Sequence, residues 1–512
     1  MKRKRKDLLL ANAHIITLNP KVPRAGSVFL SDGRIARIFA DRRPKGLPLR
    51  GLRLIDCKGM SVVPGFVDAH FHLRSFAEKF LHLDLSPEAG IGSIEDIKER
   101  IRKACASKRQ GEWIKGRGYD EWRLREKRHP TRLDLDEVAP FHPVRLSHRT
   151  GQVHVLNSMG LKILGIGADS EDPEGGLIER DLKTGLPTGV LYGMGGFLSR
   201  RIPEADEDEL EKVLPLASAR LLSFGITFLN DCTSHNDLRE LRRFENWRRN
   251  GLIRQHLRAV MGVATFEEAE PSKTKGVIMG GAKILLHRVT GRFYPDPERL
   301  QREVEELHRR GVQIALHAIE EEEIGLALEA LARAIERYPR PHRHRIEHCS
   351  LCPDPHLERI ASLGVVVVSQ PAFIYLNGER YRTTIPEEKR RYLYRLRSFL
   401  ERGVVLAAGS DSPVGDPNPM LSIFACLFRS SRDGNPIGGD EALGLEQAIK
   451  VHTLSAAYAC FEEGNRGSIE LGKAADLVVL NEHLESIPAE RIRDIRPVLT
   501  ILDGEVVFED MD

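Results

Sequence analysis

Short apolar runs separated by turn residues dominate both ends of the chain. Leu8–Leu18, Ser27–Leu30, Arg34–Phe39 and Leu54–Cys57 are punctuated by Asn19-Pro20 and Asp32-Gly33. Gly467–Glu470, Asp476–Leu480, Val498–Leu502 and Glu505–Phe508 follow the same habit around Asp503-Gly504. Such runs predict strands, and an Asp-Gly pair between two of them predicts a tight hairpin. Two β-rich ends flanking a different middle predict one small sheet domain assembled from residues 1–62 and 461–512.

Between them the rhythm changes. Val62–His72, Ile226–Asn230, His256–Gly262, Ala282–Leu286, Val312–His317, Arg345–Cys349, Val365–Ser369 and Val404–Ala408 are strand candidates, and helical patterns intervene. Asp296-Pro297 supplies an N-cap and a first-turn proline. Leu300, Val304 and Leu307 then form an apolar stripe, and Gly311 closes it. Ile324, Leu328, Leu331 and Ile335 mark a second helix ended by Pro339. Eight strands alternating with helices predict an α/β fold, a (β/α)8 TIM-like barrel over residues 63–460. The gap after the first strand is too long for one βα unit. Residues 75–205 therefore read as a large insertion covering the active-site end of the barrel, with a strand at Pro143–His148.

Composition narrows the partners. The 512 residues carry 77 Lys+Arg against 74 Asp+Glu, a net charge of +3, so bulk charge points to neither nucleic acid nor a membrane surface. No stretch approaches the ~20 apolar residues of a spanning helix. The basic start is broken by Asp7 and diluted by Asn12, His14 and Thr17, which favours a first strand over a signal peptide. Seven cysteines, an odd count in a long chain, argue for a reducing interior, and a cytoplasmic location is the expectation. A small-molecule substrate and a homo-oligomer are the expected associations.

The candidate chemistry lies at strand ends. No P-loop, G-x-S-x-G or H-E-x-x-H pattern occurs. His70 and His72 end the first strand as H-x-H, and period two puts both rings on one face. His317, His348 and Asp411 each end another strand, so five metal-competent side chains converge on one end of one barrel. Lys283 lies among apolar neighbours in the fourth strand, where its charge must be paired or removed. Reaction with CO₂ to an anionic carbamate is one route; pairing with an acid is the other. Cys349 and Cys352 form a C-x-x-C without a second such pair, and they read as incidental.

In order, PGFVDAHFH, HAIE, HRIEHC and GSDSPV resemble the amidohydrolase superfamily of metal-dependent hydrolases. With GGLIERDLKTGLPTGVLYG and GSIELGKAADLVVL, they are most similar to its YtcJ-like, amidohydrolase-3 branch, which includes N-substituted formamide deformylases. The resemblance runs from about Leu8 to Phe508. It implies a β-sandwich made by both chain ends beside the barrel, and one or two divalent ions, zinc being favoured. It assigns His70, His72, Lys283, His317, His348 and Asp411 as metal ligands, with carbamylation at Lys283, and makes Asp411 also the proton shuttle. With His348 beside Asp411 as the catalytic pair, the expected reaction is hydrolysis of a carbon–nitrogen bond of non-peptide amide type. The rival readings are a non-hydrolytic metalloenzyme using the same site, such as a decarboxylase or isomerase, and an inactive scaffold.

Relatives carry an acid where this chain has His287, four residues after Lys283, so His287 reads as a substrate contact or a loop histidine. Arg149, Gln152 and His154 lie in SHRTGQVHVLNS, which is similar to a family segment, with Gln152 where relatives often carry histidine. Together with Tyr119 and Trp122 they are the candidate substrate contacts.

Overall fold

The computed structural model describes residues 7–44, 51–268, 277–289 and 291–511. They fall into two compact units. One comprises Met1–Leu73, Leu214–Leu285 and Leu300–Asp512, the other Arg74–Val213 and Leu286–Arg299. The basic run at residues 1–6 lies outside the described residues.

The first unit holds an eight-stranded parallel sheet. Its strands are β1 (Phe66–Phe71), β2 (Ile226–Asp231), β3 (His256–Gly262), β4 (Val277–Leu285), β5 (Ile314–Ala318), β6 (Arg345–His348), β7 (Val366–Ser369) and β8 (Leu406–Ala408), paired in chain order. All eight expected strands have a counterpart, but the first, expected over Val62–His72, is two: Ser61–Pro64 joins a different sheet and only Phe66–Phe71 lies in the barrel sheet. The sheet curls until β8 meets β1. Beyond the end of β8, Asp411 N–H donates to the His70 carbonyl at 2.7 Å and His72 N–H donates to the Ser412 carbonyl at 3.0 Å. Gly409 permits that approach, since a Cβ there would lie 2.5 Å from the His70 backbone nitrogen. Alternation along β1, β7 and β8 sends Val67, Ala69, Val366, Val368 and Ala407 into a core shared with Ala456, Ala457 and Ala459 of the helix Leu454–Ala459. It leaves Asp68 and His70 to the opposite, inward face.

The same unit contains two further sheets drawn from both chain ends. One orders Arg34–Phe39, Ser27–Ser31, Leu8–Ala11 and Arg53–Asp56; the other contains His14–Ile16, Ser61–Pro64, Leu477–Leu480, Pro497–Leu502 and Glu505–Glu509. Leu10, Val28 and Ile55 of the first share an apolar cluster with Ile15, Val62, Leu477 and Leu499 of the second. Two further expectations need correction. The single strand Leu8–Leu18 is two strands in different sheets, because Asn12 takes a left-handed backbone (φ 51°) and ties its side chain to Asp56 at 2.8 Å. Gly467–Glu470 forms no strand; Ile469 N–H is used by the Thr17 carbonyl and Gly467 has a φ of 89°.

The second unit is built on a six-stranded sheet in the order Leu177–Arg180, Pro187–Tyr192, Val153–Leu156, Val144–His148, Ile114–Tyr119 and Leu83–Asp84. One face packs Ile114, Val144, Leu146 and Val155 against Ile94, Ile97 and Ile101 of the helix Ile94–Ser107. Among the described residues, no helix is long and apolar enough to cross a membrane.

Candidate metal centre

Six of the sequence candidates belong to the barrel unit and fall at or near the C-terminal ends of its strands. Strand register explains why. Lys283 pairs with Ala315 and Leu285 with His317 across β4 and β5, and Ala315 and His317 pair with Arg345 and Glu347 across to β6. Paired residues share a face, so Lys283, His317, Arg345 and Glu347 all project from the same side of the sheet. Strict alternation would send His348 the other way from Glu347. A left-handed backbone at His348 (φ 71°) and Cys349 (φ 50°) breaks that alternation. The His348 ring consequently lies 4.5 Å from the His317 ring and 4.9 Å from the His70 ring, centroid to centroid. Asp411 also sits in the left-handed region (φ 56°). Such conformations are costly away from glycine and persist where the surroundings hold them.

The donor atoms converge. Asp411 Oδ1 is 3.0 Å from His72 Nε2 and 3.5 Å from His70 Nε2, and the ligand atoms of these three residues all lie within 4.8 Å of one another. Each ring is held through its other nitrogen. His70 Nδ1 meets Glu347 Oε2 at 2.5 Å, His72 Nδ1 meets Thr233 Oγ1 at 2.9 Å, and His348 Nδ1 meets Gln370 Oε1 at 2.7 Å. Carboxylate and amide oxygens only accept, so His70 and His348 are protonated on Nδ1 and present an Nε2 lone pair. That is the arrangement found for metal-ligating histidines.

Electrostatics reinforce it. Burial alone would raise the Glu347 carboxyl, but the Arg345 guanidinium above all holds it well below the usual carboxylate range. Arg345, fully buried, grips Glu347 with two bonds of 2.6 and 2.9 Å. Burial, then the Lys283 charge, lowers His70 to about 3, so its ring is neutral near pH 7. Burial likewise lowers His348. Asp411 is pushed up by burial, yet its hydrogen bond with His72, foremost among the lowering influences, more than offsets this and keeps it ionised. Lys283 is 3% exposed and its Nζ has no hydrogen-bond partner among the described residues. An amine so placed, beside neutral imidazoles and one carboxylate, fits a metal centre that the amine or its modified form helps complete.

Sequence reasoning missed the supports: Glu347, Arg345, Gln370, Thr233 and Asp68. Asp68 accepts from His70 N–H at 3.2 Å and Ser410 N–H at 2.9 Å, and burial raises it to about 6. Period-two reading of Arg345-Ile346-Glu347 would have shown two opposite charges on one buried face. Gln370 and Thr233 follow strand ends as His72 does, and polar identity at those places was the available signal.

The remaining candidates belong to the other unit. Tyr119 is fully buried in its apolar core and hydrogen-bonds His129 Nδ1 at 3.1 Å. Arg149 pairs with Asp120 at 2.9 Å, Gln152 is exposed, and buried His154 engages Ser147 Oγ at 3.1 Å. Lys127 lies over the Trp122 ring at 5.8 Å. His287 is not in a loop: it starts the antiparallel hairpin His287–Val289 with Arg292–Tyr294, and its Nε2 is 3.2 Å from the Gly175 carbonyl. The pair Cys349 and Cys352 is buried, and burial and mutual proximity push the Cys349 thiol well up, which makes it unreactive.

Comparison with known proteins agrees with this geometry. The sequence profile of the amidohydrolase family matches residues 53–508. The chain is 28% identical to the N-substituted formamide deformylase of Arthrobacter pascens, over 98% of each sequence. It is 27% identical to the putative amidohydrolase YtcJ of Bacillus subtilis (strain 168), over 97% of this chain and 98% of the relative. Among solved structures, an uncharacterized metal-dependent hydrolase from Pyrococcus horikoshii OT3 superposes with a TM-score of 0.75 at 22% identity, covering 94% of this chain and 99% of that one.

Proposed function

The chain belongs to the amidohydrolase family, and from that premise we propose that it hydrolyses a carbon–nitrogen bond of non-peptide amide type in a small molecule, with a divalent metal as cofactor. The observation that carries the reading is the convergence of His70, His72 and Asp411 donor atoms within 4.8 Å of one another, beside the unpartnered amine of Lys283. His70, His72, His317, His348, Asp411 and Lys283 would hold the metal. Neutral imidazoles with one carboxylate favour zinc. When bound, such an ion supplies Lewis acidity and makes water a nucleophile near neutral pH.

The protein's own groups do the rest. Glu347 and Gln370 fix the tautomers of His70 and His348, so both rings stay neutral donors through the cycle. Asp411, ionised and aimed between His70 and His72, takes the proton of the attacking water. It then delivers that proton to the leaving nitrogen as the carbon–nitrogen bond breaks. The neutral Lys283 amine, attacking CO₂ and releasing one proton, becomes a carbamate, which places an anionic oxygen donor where the lysine would otherwise bring a positive charge. The formamide deformylase among the relatives makes N-substituted formamides the first substrates to try.

The test is elemental mass spectrometry of freshly purified protein, followed by a screen of formamides, amides and ureas. About one to two metal equivalents per chain are expected, as for sites of this donor type. Asp411→Asn should lower turnover of the best substrate about 10²–10⁴-fold with the fold unchanged by circular dichroism. Metal below ~0.1 equivalent after reconstitution, or near-normal turnover in the variant, sinks the reading.

A further inference from the structure

One face of the six-stranded sheet in residues 74–213 gathers the cations Lys115, Arg117 and Arg145 beside two carboxylates, Asp84 and Glu78. Lys115 lies opposite Arg145 in register, and Arg117 lies opposite Ser147 on one side and Asp84 on the other. These residues share the face turned away from the apolar core of Ile114, Leu146 and Val155. Neighbouring strands are ~4.8 Å apart and alternate residues ~6.6 Å apart, so the three cations stand within reach of one small anion.

Among the described residues, the hydrogen bonds of Lys115 and Arg117 go to backbone carbonyls rather than to carboxylates. Lys115 Nζ donates to the Pro203 carbonyl at 2.6 Å and Arg117 to the Ser75 carbonyl at 2.7 Å. Arg145 makes no hydrogen bond or ion pair to any described residue, and its Nε is sealed from solvent. The nearest acids offset only part of the charge: Glu78, which acts on all three cations, also accepts from Arg74 at 3.1 Å, and Asp84 accepts from Ser86 N–H at 3.0 Å. The field is felt by His82, which burial lowers to about 3 with Arg117, Lys115 and Arg145 all acting in the same direction. Arg145 is partly exposed, and its sealed Nε is a donor left without an acceptor, which a bound anion would supply.

We propose that Arg145, with Arg117 and Lys115, forms a binding site for an oxyanion, the phosphate or carboxylate group of a small molecule. The planar fork of Arg145 offers two parallel donors to such a group, and Lys115 and Arg117 supply the surrounding charge. The site is assigned from these residues alone and is independent of the hydrolase reading.

Isothermal calorimetry on the metal-loaded full-length protein tests it, with inorganic phosphate and benzoate as probes in low-salt buffer. Saturable binding of either probe is expected, weakened at least ~tenfold by Arg145→Gln. Phosphate binding identifies a free inorganic anion as sufficient, whereas benzoate binding alone identifies the acid group of an organic molecule. Lys115→Gln, a gentler change at a half-buried position, carries the same expectation should Arg145→Gln misfold. No saturable binding of either probe, or affinity unchanged in the variants, overturns the proposal. Because the readout is heat of binding, it stands or falls separately from hydrolysis.

Discussion

Arg345 on β6, fully buried, and Arg145 on the sheet of residues 74–213, partly exposed with its Nε sealed, are both strand arginines, and they are treated in opposite ways. Arg345 is enclosed with a carboxylate of its own: two bonds join it to Glu347 and a third, of 2.8 Å, reaches the Ala69 carbonyl. Glu347 spends its remaining capacity on His70, so the ion pair becomes the frame that orients a ligand. Arg145 has no such partner among the described residues. A buried charge with its counter-ion supplied by the chain gives rigidity, and one without leaves a demand that a ligand can meet. Lys283 belongs to the second kind although it sits in the first region, which is why the barrel reads as a frame built around one open amine.

Breaking the frame should cost the most. Glu347→Gln leaves Arg345 buried without its carboxylate and removes the negative charge facing His70. Loss of one partner of a buried pair costs ~3–5 kcal/mol, whereas Arg145→Gln, which removes an unpaired charge, should leave stability unchanged or raise it. Urea unfolding of the two variants side by side checks the contrast. Equal losses would mean that Arg145 is held by the chain after all.

Lys283→Met sharpens the comparison from within the barrel. In metal-free protein the change removes an unpaired ammonium and fills the space with an apolar chain of similar length, a gain of ~1–3 kcal/mol. In metal-loaded protein the sign should reverse, because a donor is lost and the metal's stabilisation of the folded state falls with its affinity. Thermal unfolding with and without added metal gives both signs. A loss in both states would make Lys283 an ordinary structural lysine.

The barrel was legible because its signals are local: apolar runs of strand length, a proline at the first helical turn, polar residues where runs stop. The candidate ligands were legible for the same reason, since His70, His72, His317 and Asp411 each end a run. What holds them was not. Glu347 faces His70 across 277 residues of sequence, and Gln370 faces His348 across 22. Neither pairing follows from spacing, because the closure of the sheet sets them. The split of Leu8–Leu18 was hidden because apolar residues flank Asn12 on both sides; only the left-handed turn there divides it, and asparagine is a permissive signal for that turn rather than a commanding one. The hairpin beginning at His287 was unreadable from the run before it, which ends in the buried barrel strand β4.

The smallest expected effect tests the supports singly. Gln370→Leu keeps side-chain volume but removes the oxygen 2.7 Å from His348 Nδ1. The ring then loses the bond that selects its tautomer, while no charge is stranded, so the stability loss should stay near ~1 kcal/mol. Metal affinity should fall ~10-fold, the low end for a partner behind a ligating histidine. Competition with a chromophoric chelator measures that affinity directly, and Gln370→Glu should restore it, because a carboxylate accepts the same proton more strongly. If the leucine variant binds metal as tightly as the parent, the left-handed turn at His348 is enough to aim the ring, and backbone strain rather than the hydrogen bond does the positioning.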